Sequence, residues 1–233
     1  LYDEELKKET YKVGVSNLDE LKLEGLSPEQ MVDAIEAAAS RVFNAGKFPI
    51  LLGGEHTVSI GMVKAAKKSY SDLVVLQFDA HADLRNTYQA NPLNHACVAR
   101  RLMELTPVVG IGIRNLSKEG AEFIEKSGMK VFFAPEVLKN PGRIKKAISQ
   151  LKTDHIYLTI DLDVMDPSVM PAVGTPEPGG LGWYEMCDLI SFAASSKKIV
   201  GFDVVELCPS QNEIRSDFLA ARLIYRLLGY IFK

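Results

Sequence analysis

In the stretch "VVLQFDAHADLRNTY" (74–88), Asp79, His81 and Asp83 fall within five positions, straight after an apolar run. Burying carboxylates beside Val74, Val75, Leu76 and Phe78 is costly unless a positive species meets them. A second stretch, "TIDLDVMDPS" (159–168), places Asp161 and Asp163 two residues apart. On a strand two such side chains share a face, about 6.6 Å apart. That separation suits two carboxylates bracketing a pair of metal ions ~3.5–4 Å apart. His56 follows "FPILLGG", and Glu206 closes "GFDVVE". The four aspartates would carry a charge that two divalent cations balance, with His56 and His81 neutral. A hydroxide bound between the ions would then leave an excess negative charge and favour a cationic ligand. The donors are oxygen and imidazole with no thiolate, which leans toward manganese over zinc or magnesium, with iron, cobalt and nickel still open.

Each piece also has a plainer reading. Asp161 and Asp163 alone fit a polar strand end, and His56 alone fits a buried, hydrogen-bonded histidine. Gly53-Gly54-Glu55-His56 could open a phosphate-binding helix, although no GxGxxG pattern or Walker lysine accompanies it. Asp166-Pro167 reads as a turn, His155 as a structural histidine within a strand, and Cys97, Cys187 and Cys208 as core packing. The combination favours the metal reading, because three of the four histidines lie in these clusters or in the "NPLNHACV" segment that holds His95. One consequence is geometric. Fully extended, Asp79 and Asp83 would stand about 13 Å apart, so the chain must curl after His81, where small Ala82 permits it.

Elements that would position these groups alternate along the chain. Strand-like runs occur at 48–54, 73–81, 107–114, 130–136, 155–163 and 198–207, with helical patterns at 27–46, 117–128, 140–152, 182–196 and at the end of the chain. In the first helical pattern Ser27 is an N-cap, Pro28 the first helical residue and Gly46 a stop. Met31, Ile35, Ala38 and Val42 form its apolar stripe. Continuously apolar strands separated by helices predict an α/β fold, three-layer α/β/α with a mostly parallel central sheet. In such sheets ligands bind beyond the carboxyl ends of the strands, where His56, Asp79, His81, Asp161, Asp163 and Glu206 all fall. With 233 residues, 47% hydrophobic and 24% charged, the chain reads as a single domain over 1–233. The net charge of −3 argues against nucleic acid and anionic membrane as partners. No apolar run reaches the ~20 residues of a membrane span. Three scattered cysteines fit a reducing, cytoplasmic setting.

With those residues in hand, the chain resembles the ureohydrolase family of arginases and agmatinases. The resemblance rests on "GGEH" (53–56), "FDAHADLR" (78–85), "TIDLDVMDPS" (159–168) with "MPAVGTPEPGGL" (170–181), and "GFDVVEL" (201–207), in the family's order. It implies an arginase-like fold and a binuclear manganese site, two Mn(2+) per subunit. His56 and Asp83 would bind one ion, His81 and Asp163 the other, with Asp79 and Asp161 bridging. It further implies hydrolysis of a small cationic guanidine to release urea. Asp83 would pass a proton to the leaving amine, Glu206 would pair with the guanidinium, and His95 would shuttle protons at the pocket mouth.

Glu55 stands where many members carry Asp, and Thr159 where many carry Ser. Members usually begin with a further strand and loop of roughly fifty residues that this chain lacks. The "DLRNTYQANPLNHACV" loop is shaped like the agmatinase version, and Ala96 follows His95 where arginases usually have Gly. Agmatine, giving putrescine and urea, is therefore the expected substrate. The alternatives are arginase, guanidinobutyrase or formimidoylglutamase activity, or a non-catalytic family member. The family habit implies a homo-oligomer, trimer or hexamer.

Overall fold

The structure is a computed structural model that describes residues 1–211 and 213–232. Among the described residues, six strands form one sheet: β1 (Ile50–Leu52), β2 (Val74–Phe78), β3 (Val108–Ile113), β4 (Lys130–Phe133), β5 (His155–Asp161) and β6 (Lys198–Val205). The helices are α1 (Pro28–Asn44), α2 (Val58–Ser69), α3 (Val98–Leu102), α4 (Lys118–Ser127), α5 (Ala134–Lys139), α6 (Pro141–Ser149), α7 (Trp183–Ser196) and α8 (Arg215–Ile231). The strand order is β1-β6-β5-β2-β3-β4 and every pairing is parallel. Every residue of β2 and β3 is buried, as strands covered on both faces require.

Alternation along the strands divides the interior in two. Val74, Leu76 and Phe78 of β2 join Ile144, Ile148, Ile190 and Leu223 from α6, α7 and α8 on one face. Val75 and Tyr157 face the other way, toward Ile35 of α1, Val63 of α2 and Leu102 of α3. The result is the three-layer α/β/α arrangement. Among the described residues no helix is long and apolar enough to cross a membrane.

α1 starts as its sequence dictates. Ser27 Oγ accepts from the Gln30 amide at 3.3 Å and Gln30 Oε1 accepts from the Ser27 amide at 2.9 Å, a reciprocal cap. Its buried stripe is Val32, Ile35 and Ala39, rotated from the expected Met31, Ile35, Ala38 and Val42. The rotation follows from α2, which packs beside α1 and was not among the helical patterns read from the sequence. Gly61 of α2 sits so near α1 that a Cβ there would lie 2.6 Å from the Val32 carbonyl oxygen and 2.8 Å from Ile35 Cβ. All six strands are shorter than the apolar runs suggested, and at two of them another element takes over. Residues 134–139 turn into α5, and β5 stops at Asp161 before a single 3-10 turn, Leu162–Val164. Cys97 and Cys187 are buried, but Cys208 is exposed and does not pack in the core. His155 is partly exposed and pairs with Asp72 Oδ1 at 2.8 Å.

The topology selects one crevice. From β2 the chain proceeds to β3 on one side, whereas from β5 it proceeds to β6 on the other. Neighbouring strands whose connections diverge leave a gap at their carboxyl ends, where ligands bind in open α/β sheets. Asp79 follows β2 and Asp161 ends β5, so both stand at that gap.

Replacing Gly61 by Val should lower unfolding free energy by about 1–3 kcal/mol, since the added carbons meet backbone and a β-branched side chain. Gly142→Ala, where the nearest atom is Asn140 Oδ1 at 3.6 Å, serves as the control. Urea denaturation measures both, and an unchanged midpoint for Gly61→Val would refute the close approach of α1 and α2.

Candidate functional site

The cluster at the crevice is assembled by backbone amides that grip one carboxylate oxygen and leave the other pointing inward. Asp79 Oδ1 accepts from the His81 amide at 2.6 Å. Asp161 Oδ1 accepts from the Asp163 amide at 2.9 Å, and Asp163 Oδ1 from the Ala80 amide at 2.9 Å. The Asp163 bond exists because β5 gives way to its 3-10 turn. Asp163 is therefore not on the strand beside Asp161, as the two-residue spacing suggested. The chain does curl after His81, and Asp83 itself adopts φ +50°. That left-handed backbone costs a non-glycine residue on the order of 1 kcal/mol, and such strain concentrates at functional sites. Glu206 is strained in the same sense, with φ +64°.

The oxygens so aimed converge on one atom. His56 Nδ1 lies 3.3 Å from Asp79 Oδ2, 3.2 Å from Asp83 Oδ2 and 3.3 Å from Asp161 Oδ2. It is nevertheless buried without a hydrogen-bond partner. Its tautomer follows from counting protons. Thr159 Oγ1 donates its one proton to Asp203 Oδ1 at 2.7 Å, so it must accept from His56 Nε2–H at 2.8 Å. The proton is thereby held on Nε2, and Nδ1 is the ring atom left to face three carboxylate oxygens. Burial opposes a second proton there, but Asp161, Asp79 and Asp83 outweigh it and hold the imidazole's proton affinity well above its ordinary value. Asp203 is fully buried and also accepts from Tyr157 Oη at 2.7 Å. A nitrogen among anionic oxygens is unfavourable unless a proton or a metal cation sits between them.

Candidate ligand atoms of His56, Asp79 and Asp83 lie within 4.8 Å of one another, and so do those of Asp79, His81 and Asp163. Asp79 belongs to both groups. His81 Nδ1 faces Asp163 Oδ2 at 2.8 Å, and its Nε2 lies 3.8 Å from Glu177 Oε1. The donor chemistry fits a hard or borderline divalent cation.

Charge confined here moves proton affinities. Burial first, then the charges of Asp83 and Asp163, push Asp79 up to about 7. Burial, with Asp79 and Asp163, holds Asp161 well above the carboxylate range. For His81 burial favours the neutral ring, but Asp163 and its neighbours outweigh it and raise the group to about 9. Burial also opposes ionisation of Asp163, yet its contact with His81 leaves it lowered.

Over the cluster, Glu206 Oε1 accepts from the His56 amide at 2.7 Å, and the Glu206 amide donates to the Gly54 carbonyl at 2.7 Å. His95 does not join the metal-type groups. It begins a short 3-10 turn, is half exposed, and sits with Nδ1 3.6 Å from Glu55 Oε1. Both line the mouth of a cleft of about 420 Å³ whose floor holds His56, His81, Asp83, Asp161 and Asp163. Asp166 is a turn former, its two oxygens accepting from the amides of Ser168, Gly179 and Gly180.

Sequence reading missed several supporting groups. Arg114 Nη2 donates to the carbonyls of Asp163 at 2.7 Å and Glu177 at 2.6 Å, tying two site loops to the end of β3. Gln77 Nε2 donates to Asp79 Oδ2 at 2.8 Å. Asp203 had a usable signal, a carboxylate in the otherwise apolar "IVGFDVV". Arg114 had none, because its partners are backbone carbonyls.

Comparison with known proteins gives a consistent set. A sequence profile of the arginase family matches residues 1–229. An N(1)-aminopropylagmatine ureohydrolase from Synechocystis sp. is 40% identical over 214 residues, covering 91% of this chain and 70% of that protein. An agmatinase from Bacillus anthracis is 35% identical over 236 residues, covering 99% and 80%. The crystal structure of agmatine ureohydrolase of Thermoplasma volcanium superposes with a TM-score of 0.90 at 32% identity, covering 99% of this chain and 78% of that one. An arginase from Bacillus cereus gives 0.80 at 27% identity, covering 95% and 86%.

The proton affinities set the pH dependence of the metal-free protein. Asp79 is raised, so its contribution to stability is present below the ordinary carboxylate range near 4 and is lost as pH rises through about 7. The contribution of His81 is present below about 6.5 and lost through about 9. Asp163 acts oppositely, at the acidic end. Chelator-treated protein should therefore melt lower at about pH 8 than at about pH 5, and Mn(II) should raise Tm more at the higher pH, where fewer protons compete. Thermal melts test this, and curves indifferent to both pH and Mn(II) would contradict it.

Proposed function

The chain belongs to the arginase family, and on that premise we propose that it is a binuclear manganese ureohydrolase converting agmatine to putrescine and urea. The observation that carries the reading is the buried, unpartnered His56 Nδ1 with three carboxylate oxygens at 3.2–3.3 Å. His56 and Asp83 would hold one Mn(2+) and His81 and Asp163 the other, with Asp79 and Asp161 shared between them. When bound, such a pair supplies a nucleophile near neutral pH by lowering the pKa of water.

The chain's own residues do the rest. Glu206 accepts N–H bonds from the guanidinium, since a planar cation suits a forked carboxylate partner. Burial raises the proton affinity of Glu206 against the pull of the His56 amide, and a guanidinium arriving beside it favours the ionised form. Asp83 carries the proton that the departing amine takes up as its C–N bond breaks. His95 exchanges protons with solvent at the mouth, where its half-exposed position suits that task.

A second reading, an agmatine bearing an aminopropyl arm, is favoured by the Synechocystis relative named for that substrate. We place the enzyme in the cytoplasm, consistent with three free cysteines. The reading takes 1–233 as one catalytic domain and the assembly as a homo-oligomer, trimer or hexamer. Exposed Tyr184, Ile214 and Phe218 along one groove support such an assembly.

Purified protein with Mn(II) should release urea from agmatine. Asp161→Ala should abolish that activity together with metal retention. Glu206→Asn should lower kcat/KM by about 10²–10³-fold while keeping both metals. Its melting temperature should stay close to the parent's, because Asn tolerates the left-handed backbone but gives up the bond to the His56 amide. Urea assays, metal analysis and melting curves check these outcomes. No urea from agmatine or its aminopropyl derivative, or full turnover by Asp161→Ala, would overturn the reading.

A further inference from the structure

Two carboxylates in the cleft are held by consecutive backbone amides. The His56 amide fixes Glu206 Oε1 at 2.7 Å, and the Thr57 amide fixes Glu55 Oε1 at 3.1 Å. With neighbouring backbone nitrogens as anchors, the two carboxylate oxygens lie within about 10 Å of each other. Glu55 is also gripped by the Thr57 hydroxyl on the same Oε1. Among the described residues its Oε2 takes no hydrogen bond, and the side chain is half exposed at the cleft mouth. Ala82, Leu84 and Leu116 supply apolar wall below it.

We propose that Glu55 is a specificity-determining residue that receives the ammonium at the far end of the guanidine substrate. The inference rests on the ureohydrolase reading above and extends it to the tail of the substrate. A chain of four methylenes between guanidinium carbon and ammonium nitrogen spans about 7–8 Å when extended, a length the two anchored carboxylates accommodate. Once the aspartate cluster is balanced by two divalent ions, Glu206 and Glu55 place two negative charges in the upper cleft. Among the described residues lining the cleft, Arg85 is the only arginine or lysine, and its guanidinium carbon is 5.4 Å from the Tyr88 ring centroid. A substrate cationic at both ends answers that distribution, whereas an anionic tail would meet Glu55 unfavourably.

The test compares agmatine, butylguanidine and 4-guanidinobutyrate, which share a guanidinium and differ in tail charge, using the Mn(II)-loaded full chain. The unaltered protein should prefer agmatine over butylguanidine by tenfold or more in kcat/KM. Glu55→Gln, which keeps the oxygen that Thr57 binds, should erase most of that preference by raising KM for agmatine while butylguanidine is unaffected. Glu55→Lys should raise kcat/KM for 4-guanidinobutyrate at least tenfold over the parent. Equal losses on agmatine and butylguanidine in Glu55→Gln would overturn the assignment while leaving the ureohydrolase reading intact. So would an unaltered protein indifferent to tail charge, a result that needs no variant to fold. Urea from none of the three substrates, nor from aminopropylagmatine, would overturn both.

Discussion

Anionic oxygens gathered around an imidazole nitrogen at the almost fully buried floor of a cleft repel one another, and the rest of the site is arranged around that repulsion. The oxygens of Asp79, Asp83 and Asp161 surround His56 Nδ1 within 3.3 Å. Three responses relieve such crowding: protons, an imidazolium or a cation. The first two appear as the raised proton affinities of Asp79, Asp161 and the two histidines. The Thr159–Asp203 pair is compatible with the third. It fixes one proton on Nε2 and leaves Nδ1 as a donor atom, and a divalent ion satisfies several carboxylates at once without the dipole–charge mismatch of a single N–H.

The fold delivers this arrangement cheaply in some places and at a cost in others. A parallel sheet whose connections diverge between β2 and β5 already opens a crevice where Asp79 and Asp161 stand. Amides at the strand ends, freed from the ladder, grip one oxygen each of Asp79, Asp161 and Asp163. The cost lies at Asp83 and Glu206, whose left-handed backbones turn their side chains back over the crevice. Arg114 ties together the loops that carry Asp163 and Glu177. The same five-residue turn after β1 supplies the His56 ring, the amide that orients Glu206 and the carboxylate of Glu55. Chemistry and recognition of the substrate thus share one short piece of backbone.

Much of this was legible in the sequence because it is local and periodic. Apolar strand runs and the Ser27–Gln30 cap carry direct signals, and carboxylates after apolar runs mark strand ends. Asp79 and Asp83 could be seen to require a bend because an extended chain is too long. What failed to show depends on distant partners. α2 was lost behind the "GGEH" motif that precedes it, and the stripe on α1 was misplaced by about one residue because Gly61 sets how the two helices meet. Asp163 looked like a strand residue until its amide found Asp161. The tautomer of His56 depends on Thr159 and Asp203, each more than 100 residues away in the chain, and no spacing rule encodes that.

The most direct test of the central claim is anomalous diffraction from crystals grown with Mn(II). Two peaks are expected, one bonded to His56 Nδ1 and to oxygens of Asp79, Asp83 and Asp161, and a second bonded to His81 Nδ1 and to oxygens of Asp163, Asp79 and Asp161. Crystals with no peak in the crevice, and His56 present as an imidazolium hydrogen-bonded to those same aspartates, would contradict it.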